Sequence, residues 1–121
     1  MNQYKEGVIM ANYKFTDEDI MMDNKLKQHK FNIAKVKIIE MDIKNTHIDK
    51  LEEQLTIYKN KVQNMINLIK TLDQKEQLFI VLKYFEEKDN SQIADIMNIS
   101  TDWVAHMRKK ILRKLIKNTQ G

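Results

Sequence analysis

The fold is decided by the stretch Asn90-Ser91-Gln92-Ile93-Ala94-Asp95-Ile96-Met97-Asn98-Ile99-Ser100-Thr101-Asp102-Trp103-Val104-Ala105-His106-Met107-Arg108-Lys109, read on to Lys117. Two short helical patterns meet at Asn98-Ile99-Ser100, the arrangement of a helix-turn-helix. Ile93 and Met97 lie four apart on one face of the first helix, and Val104 and Met107 three apart on the second. Ile99 closes the small core between them, and Ala94 sits where the helices cross and leaves room for the approach. Asn98 holds the turn position that needs positive φ, where Gly is usual and Asn is the best substitute. Ser100 is a good N-cap for the second helix. An ordinary helical hairpin would explain the apolar spacing, but not the alanine, the Asn turn and the cap together.

The remaining face of that second helix carries Thr101, Asp102, Ala105, His106 and Lys109, followed by Arg108, Lys110, Arg113, Lys114 and Lys117. No acidic residue follows Asp102, and both arginines of the chain, Arg108 and Arg113, fall here. Arginine suits bidentate contact with guanine edges and phosphates. A basic C-terminal helix could merely offset its own dipole, but behind a helix-turn-helix it reads as a double-stranded DNA contact. On that reading Thr101, Asp102, Ala105, His106 and Lys109 face base edges, and Lys110, Arg113 and Lys114, with Arg108 beside them, meet phosphates. Asp102 would repel phosphate unless it accepts from a cytosine amino group, which makes it a candidate specificity residue. Trp103 borders the Val104 face and is expected as scaffold, its indole lying against the helix over 73–85.

Upstream, residues 1–15 have no helical or strand period and are expected to form a flexible arm. Thr16 with Asp19 reads as a helix start, with Phe15 and Ile20 as a hydrophobic staple, and the acidic cluster Asp17, Glu18, Asp19 and Asp23 as capping and dipole compensation. A stripe follows at Met22, Leu26, His29, Ile33, Val36, Glu40 and Ile43, its lone histidine expected as a core residue. Thr46 with Asp49 reads as a second cap. A cleaner stripe, Ile48, Leu51, Leu55, Tyr58, Val62, Met65, Ile69 and Leu72, has steps of three and four throughout. Its shifted phase predicts two helices in an antiparallel hairpin, and Leu51, Leu55, Tyr58, Val62, Met65 and Ile69 are the candidate seam of a homodimer. Asp73 with Glu76 forms a capping box ahead of Leu78, Phe79, Leu82 and Phe85. The expected organisation is therefore a flexible arm (1–15), a helical hairpin or oligomerisation region (16–71) and a helix-turn-helix domain (72–121).

Composition agrees with an all-α chain. Among 121 residues there is no Pro, and Gly occurs twice, so composition breaks no helix between Gly7 and Gly121. The formal net charge is +4, modest support for a polyanionic partner. Cys is absent and the three histidines share no ligand spacing, so no metal site and no cofactor is expected. No long apolar run or leader pattern is present, which predicts a cytoplasmic protein without membrane contact. There is no Gly-rich phosphate loop, no nucleophile paired with His and no converging carboxylate pair, so the chain is not expected to be an enzyme.

Leu72-Asp73, Leu82-Lys83-Tyr84-Phe85, Gln92-Ile93-Ala94-Asp95-Ile96, Ile99-Ser100, Trp103-Val104 and Lys114-Leu115 together resemble the DNA-binding region 4 of bacterial sigma factors. Three positions depart from that pattern: Gln92 stands for the usual Glu, Asn98 for Gly and Trp103 for Thr. The layout of the whole chain is similar to the small phage-encoded transcription regulators of the ArpU/RinA type, with helical segments before a sigma-like helix-turn-helix. The resemblance implies a sequence-specific DNA-binding regulator from a phage or mobile element, and contact with RNA polymerase as a second property. Two other classes remain open at this point: a protein-interaction module working through the helical half, and a small terminase subunit. The latter usually places its DNA-binding motif before the oligomerising helices, the reverse of the order here.

Overall fold

A computed structural model describes residues 14–46 and 49–120, and over these the chain is entirely helical. Helix α1 runs Asp17–Thr46 and α2 Asp49–Ile69. Helix α3 is Gln74–Ile80, continued by a π-helical turn Val81–Phe85. Helices α4, Asn90–Met97, and α5, Thr101–Gln120, complete the order. The flexible arm expected over residues 1–15 falls outside the described residues except for Lys14 and Phe15, as do the side chains of the Thr46/Asp49 cap.

Helix α1 begins where the sequence places it. The Thr16 amide donates to Asp19 Oδ2 at 2.8 Å and the Asp19 amide to Thr16 Oγ1 at 3.1 Å, a reciprocal capping box. The expected staple does not form: Ile20 is 49% exposed, and Phe15 turns instead toward the core and the guanidinium of Arg108, 4.8 Å from its ring centroid. Asp73 and Glu76 make a second box at 2.8 and 3.0 Å. Asp89 and Gln92 make a third at 2.8 and 3.0 Å, so Gln92, the amide in place of the usual Glu, closes the cap of α4. A capping residue of this kind contributes about 1 kcal/mol.

Helices α1 and α2 form the predicted antiparallel hairpin, with Glu40 and Lys59 3.5 Å apart across it. The stripe on α2 meets the core of its own chain at its C-terminal end. Met65 is buried beside Met22 and Leu26, Ile69 packs on the same cluster, and Leu51, Leu55, Tyr58 and Val62 are half-buried along the same side.

The core is centred lower down, where the first half of α1 meets the helix-turn-helix. Phe79, Ile80, Ile93, Val104, Ile111, Leu112 and Leu115 are each no more than 1% exposed and share one cluster with Met22, Leu26 and Met65. Each such side chain contributes roughly 1.5–3 kcal/mol by leaving water. The hairpin and the helix-turn-helix are thus built on one continuous core. His29 belongs to it, as expected: it is buried, edge-on to Phe85 at 5.5 Å, and burial holds its imidazole below the usual value.

The π turn is a feature the sequence pattern does not announce. The Glu86 amide donates to Val81 O and the Lys88 amide to Leu82 O, widening the helix so that both Leu82 and Tyr84 are buried. It ends at Glu87, whose φ of 54° is in the left-handed region, a conformation that disfavours a residue with a Cβ. Lys30 steadies this end by donating to Phe85 O at 2.8 Å and pairing with Glu87 at 2.9 Å.

Candidate nucleic-acid interface

The turn between α4 and α5 has the geometry its residues predict. Asn98 stands at φ 58°, ψ 48° with its amide directed to Ala94 O and Asp95 O. Ser100 Oγ accepts from the Trp103 amide at 3.1 Å, capping α5. Ala94 is buried at the crossing, and Ile93 and Val104 are wholly buried beneath it. These contacts fix the first turns of α5 so that Thr101, Asp102 and Lys110 are exposed, with Ala105, His106 and Lys109 half-exposed beside them. The structure therefore brings these six onto the accessible part of the helix.

Trp103 corrects the scaffold expectation. Half of its surface is open, and its ring lies 4.9 Å from that of His106 at an interplanar angle of 31°. The indole and imidazole form an aromatic pair on the outside of α5, where the sequence had placed the imidazole alone. The signal was present in the helical phase, since Trp103 is one residue off the buried Val104.

The arginines are placed differently. Arg108 is largely covered: its guanidinium meets Asp23 at 2.9 Å and stacks on Phe15. It faces α1 and the interior, away from the exposed front of α5. Arg113 Nε donates to Asp19 at 2.7 Å, and Lys114 Nζ to Glu76 at 2.8 Å. These two side chains are 48% and 40% exposed, while their acidic partners are 0% and 6%. Three buried carboxylates, two from α1 and one from α3, thus grip three cations along α5.

Electrostatics follow from this. Burial alone would push the Asp19 carboxyl up, but hydrogen bonds from Arg113 and Thr16 with the Arg113 charge outweigh it and hold the group below the usual carboxylate range. Asp23 shows the same balance, burial opposed by bonds from Tyr84, Arg108 and Lys27, again with a lowered result. Tyr84, which donates to Asp23, is pushed well above the ordinary phenol value by burial and by that carboxylate. All of these groups stay in one protonation state at neutral pH, as a structural clamp requires.

Residues 68–117 match the family model of sigma-70, region 4. Over 47 residues, 39% of this chain, the sequence is 44% identical to the RNA polymerase sigma-F factor of Bacillus licheniformis. It is also 25% identical to bacteriocin UviA of Clostridium perfringens along 96% of its length. The chain spans 18% and 61% of these two relatives respectively. No solved structure matches. The matched segment contains α3, the π turn, α4 and most of α5, so a helix-turn-helix domain like sigma region 4 is present in an all-helical chain. Among the described residues no helix is long and apolar enough to cross a membrane, and no cluster of potential metal ligands is found.

The missed residues are the clamping acids. Asp19 and Asp23 looked like helix-start charges, and Asp19 does cap, but its second oxygen reaches Arg113, 94 residues away. Nothing in local sequence separates a capping carboxylate from one that also crosses the core.

Proposed function

We propose that this protein is a sequence-specific DNA-binding transcription regulator that places the N-terminal turns of α5 in the major groove. The observation that carries the reading is the exposed set Thr101, Asp102, Trp103, His106, Lys109 and Lys110 at the front of a capped helix in a segment that matches sigma region 4. Thr101, Asp102, Ala105, His106 and Lys109 meet base edges, and Lys110 meets phosphate. Trp103 joins the base-facing group. Arg108 serves to seat α5 on α1, while Arg113 and Lys114 can reach phosphate only by sharing or leaving their carboxylates. Membership of the phage regulators of the ArpU/RinA type is part of the same proposal, supported by a hairpin ahead of the motif, as is action within the cytoplasm.

A homodimer formed through Leu51, Leu55, Tyr58, Val62, Met65 and Ile69 is part of the proposal: Met65 and Ile69 pack on the core of their own chain, while Leu51, Leu55, Tyr58 and Val62 keep part of their surface open. Sedimentation at micromolar concentration tests it, with a dimer expected and a single chain overturning it. Genome-wide binding of a tagged chain, followed by anisotropy titration on the recovered duplex and on a scrambled one across a salt series, tests the DNA reading. Equal affinity for both duplexes would leave only non-specific attraction; absence of binding to either would favour a protein-interaction module directed at RNA polymerase.

A further inference from the structure

Helix α1 is 30 residues long, about 45 Å, yet the helix-turn-helix packs only against its first half. On a side other than the one holding Met22, Leu26 and His29, its second half shows Phe31, Ala34, Ile38 and Met41 at steps of three, four and three. That spacing is a helix-pairing seam. Phe31, Ile38 and Met41 are 54%, 53% and 66% exposed. At the end nearer the helix-turn-helix the seam opens into a groove of about 600 Å³ between α1 and the π turn. Phe31, Ala34 and Tyr84 give the groove its apolar side, with Lys27, Lys30, Lys83, Lys88 and Glu87 around it; Lys27 pairs with Asp23 at 3.0 Å, Lys30 with Glu87 at 2.9 Å and Lys88 with Glu86 at 3.6 Å, whereas the bond of Lys83 goes to a neutral amide.

We infer that this lane docks an acidic amphipathic helix of a partner protein, its apolar stripe on Phe31, Ala34, Ile38 and Met41 and a carboxylate directed to Lys83. The inference is independent of the DNA reading. Charge selects the occupant. Lys83 is half-buried and its hydrogen bond goes to the neutral amide oxygen of Asn90 at 3.3 Å. Burial destabilises its ammonium, and the nearby charges of Arg108 and Lys27 add to that, opposed by Asp23 and Asp89. A carboxylate entering the groove would offset this cost. A second copy of the chain would bring the same lysines, together with Lys35 and Lys37, against themselves. DNA phosphates would satisfy the lysines but leave the apolar seam, three half-exposed side chains, without a counterpart.

The test uses the full chain and a labelled synthetic helix of about 15 residues, with leucines at steps of three and four flanked by glutamates, and its twin with lysines in place of the glutamates. The acidic peptide should bind and the basic twin should not. Ile38→Glu and Lys83→Gln, both chosen to leave the core untouched and checked by melting, should each weaken binding about tenfold. Raising salt from about 50 to 500 mM should weaken it further, as screening of opposed charges demands. Affinity for the DNA duplex should be the same in both variants. Equal binding of the two peptides, failure of both, or self-association of the chain that Ile38→Glu abolishes would each overturn the proposal. So would loss of DNA affinity in Lys83→Gln, which would give the groove to phosphate.

Discussion

The two faces of α5 carry similar residues and live in different surroundings. At the front, Trp103 and Lys110 are exposed and His106 half-exposed beside them, above the capped turn. At the back, Arg108, Arg113 and Lys114 each hold a carboxylate that has almost no contact with water. A basic residue on a recognition helix is therefore not by itself a DNA contact. What decides is whether the rest of the fold has already supplied an anion. Here α1 supplies two, and the front of the helix stays open while the back is anchored.

The largest effect that should separate the faces is on stability. Asp23→Ala leaves the covered Arg108 guanidinium without its partner and Tyr84 without its acceptor, a loss of about 3–5 kcal/mol, measurable by urea denaturation. Lys110→Ala at the exposed front should stay within about 0.5 kcal/mol of the parent. A small cost for Asp23→Ala would mean that the back of α5 is not anchored through α1. The same clamp gives a direction with pH. Asp19 and Asp23 have folded values below the ordinary carboxylate value, so their contribution is complete above about pH 4. It is lost as pH falls through the lowered folded values. Urea midpoints should ease already below about pH 6.5, where the unfolded chain protonates His29 and the buried imidazole resists, and drop further below about pH 4, where the two carboxylates act. An Asp23→Asn, Asp19→Asn double variant should lack most of that acid-specific drop.

The next effect belongs to the front. Trp103→Ala and His106→Ala should each weaken the cognate duplex by about 1–3 kcal/mol if the rings meet base edges, with little change in melting temperature and little effect on a scrambled duplex. A Trp103→Ala variant that melts early but keeps its sequence preference would return the indole to the scaffold.

Much of this was readable from residues alone, wherever a property is local. Asn98 at positive φ, the Ser100 cap and the Asp73–Glu76 box each need only neighbours within a few positions, and each is in place. Helical periodicity is local too, and it yields the hairpin and the buried faces. It could not say which surface a stripe would meet: Met65 and Ile69 of the α2 stripe pack on the core of their own chain, while Leu51, Leu55, Tyr58 and Val62 stay half-buried. Ion pairs are less legible still. Asp19 and Arg113 are 94 positions apart, and each had a sufficient local explanation, capping for one and phosphate for the other. The π turn escaped for another reason: its extra width answers the need to bury Leu82 and Tyr84 together, which is a demand of packing.

The smallest effect is the sharpest test of the comparison. A phosphate contact adds roughly 0.9 to the magnitude of the slope of log affinity against log salt. Lys110, exposed beyond the base-facing turns, should show this: Lys110→Ala should weaken cognate and scrambled duplexes alike and flatten the slope by about one. Arg113 would do the same if its charge were available, as its place in the sequence suggests. Its guanidinium instead lies 2.7 Å from an Asp19 carboxylate that is wholly buried. Moving to a phosphate would leave that carboxylate buried with only its cap bonds from Thr16. Arg113→Ala should then lower the melting temperature and leave the salt slope where it was. If it flattens the slope as much as Lys110→Ala does, the clamp opens on DNA, and the back of α5 reads the backbone after all. Asp19→Asn settles the remaining ambiguity: a clamp that competes with phosphate predicts tighter DNA binding when the carboxylate loses its charge, whereas a permanent anchor predicts only a less stable protein.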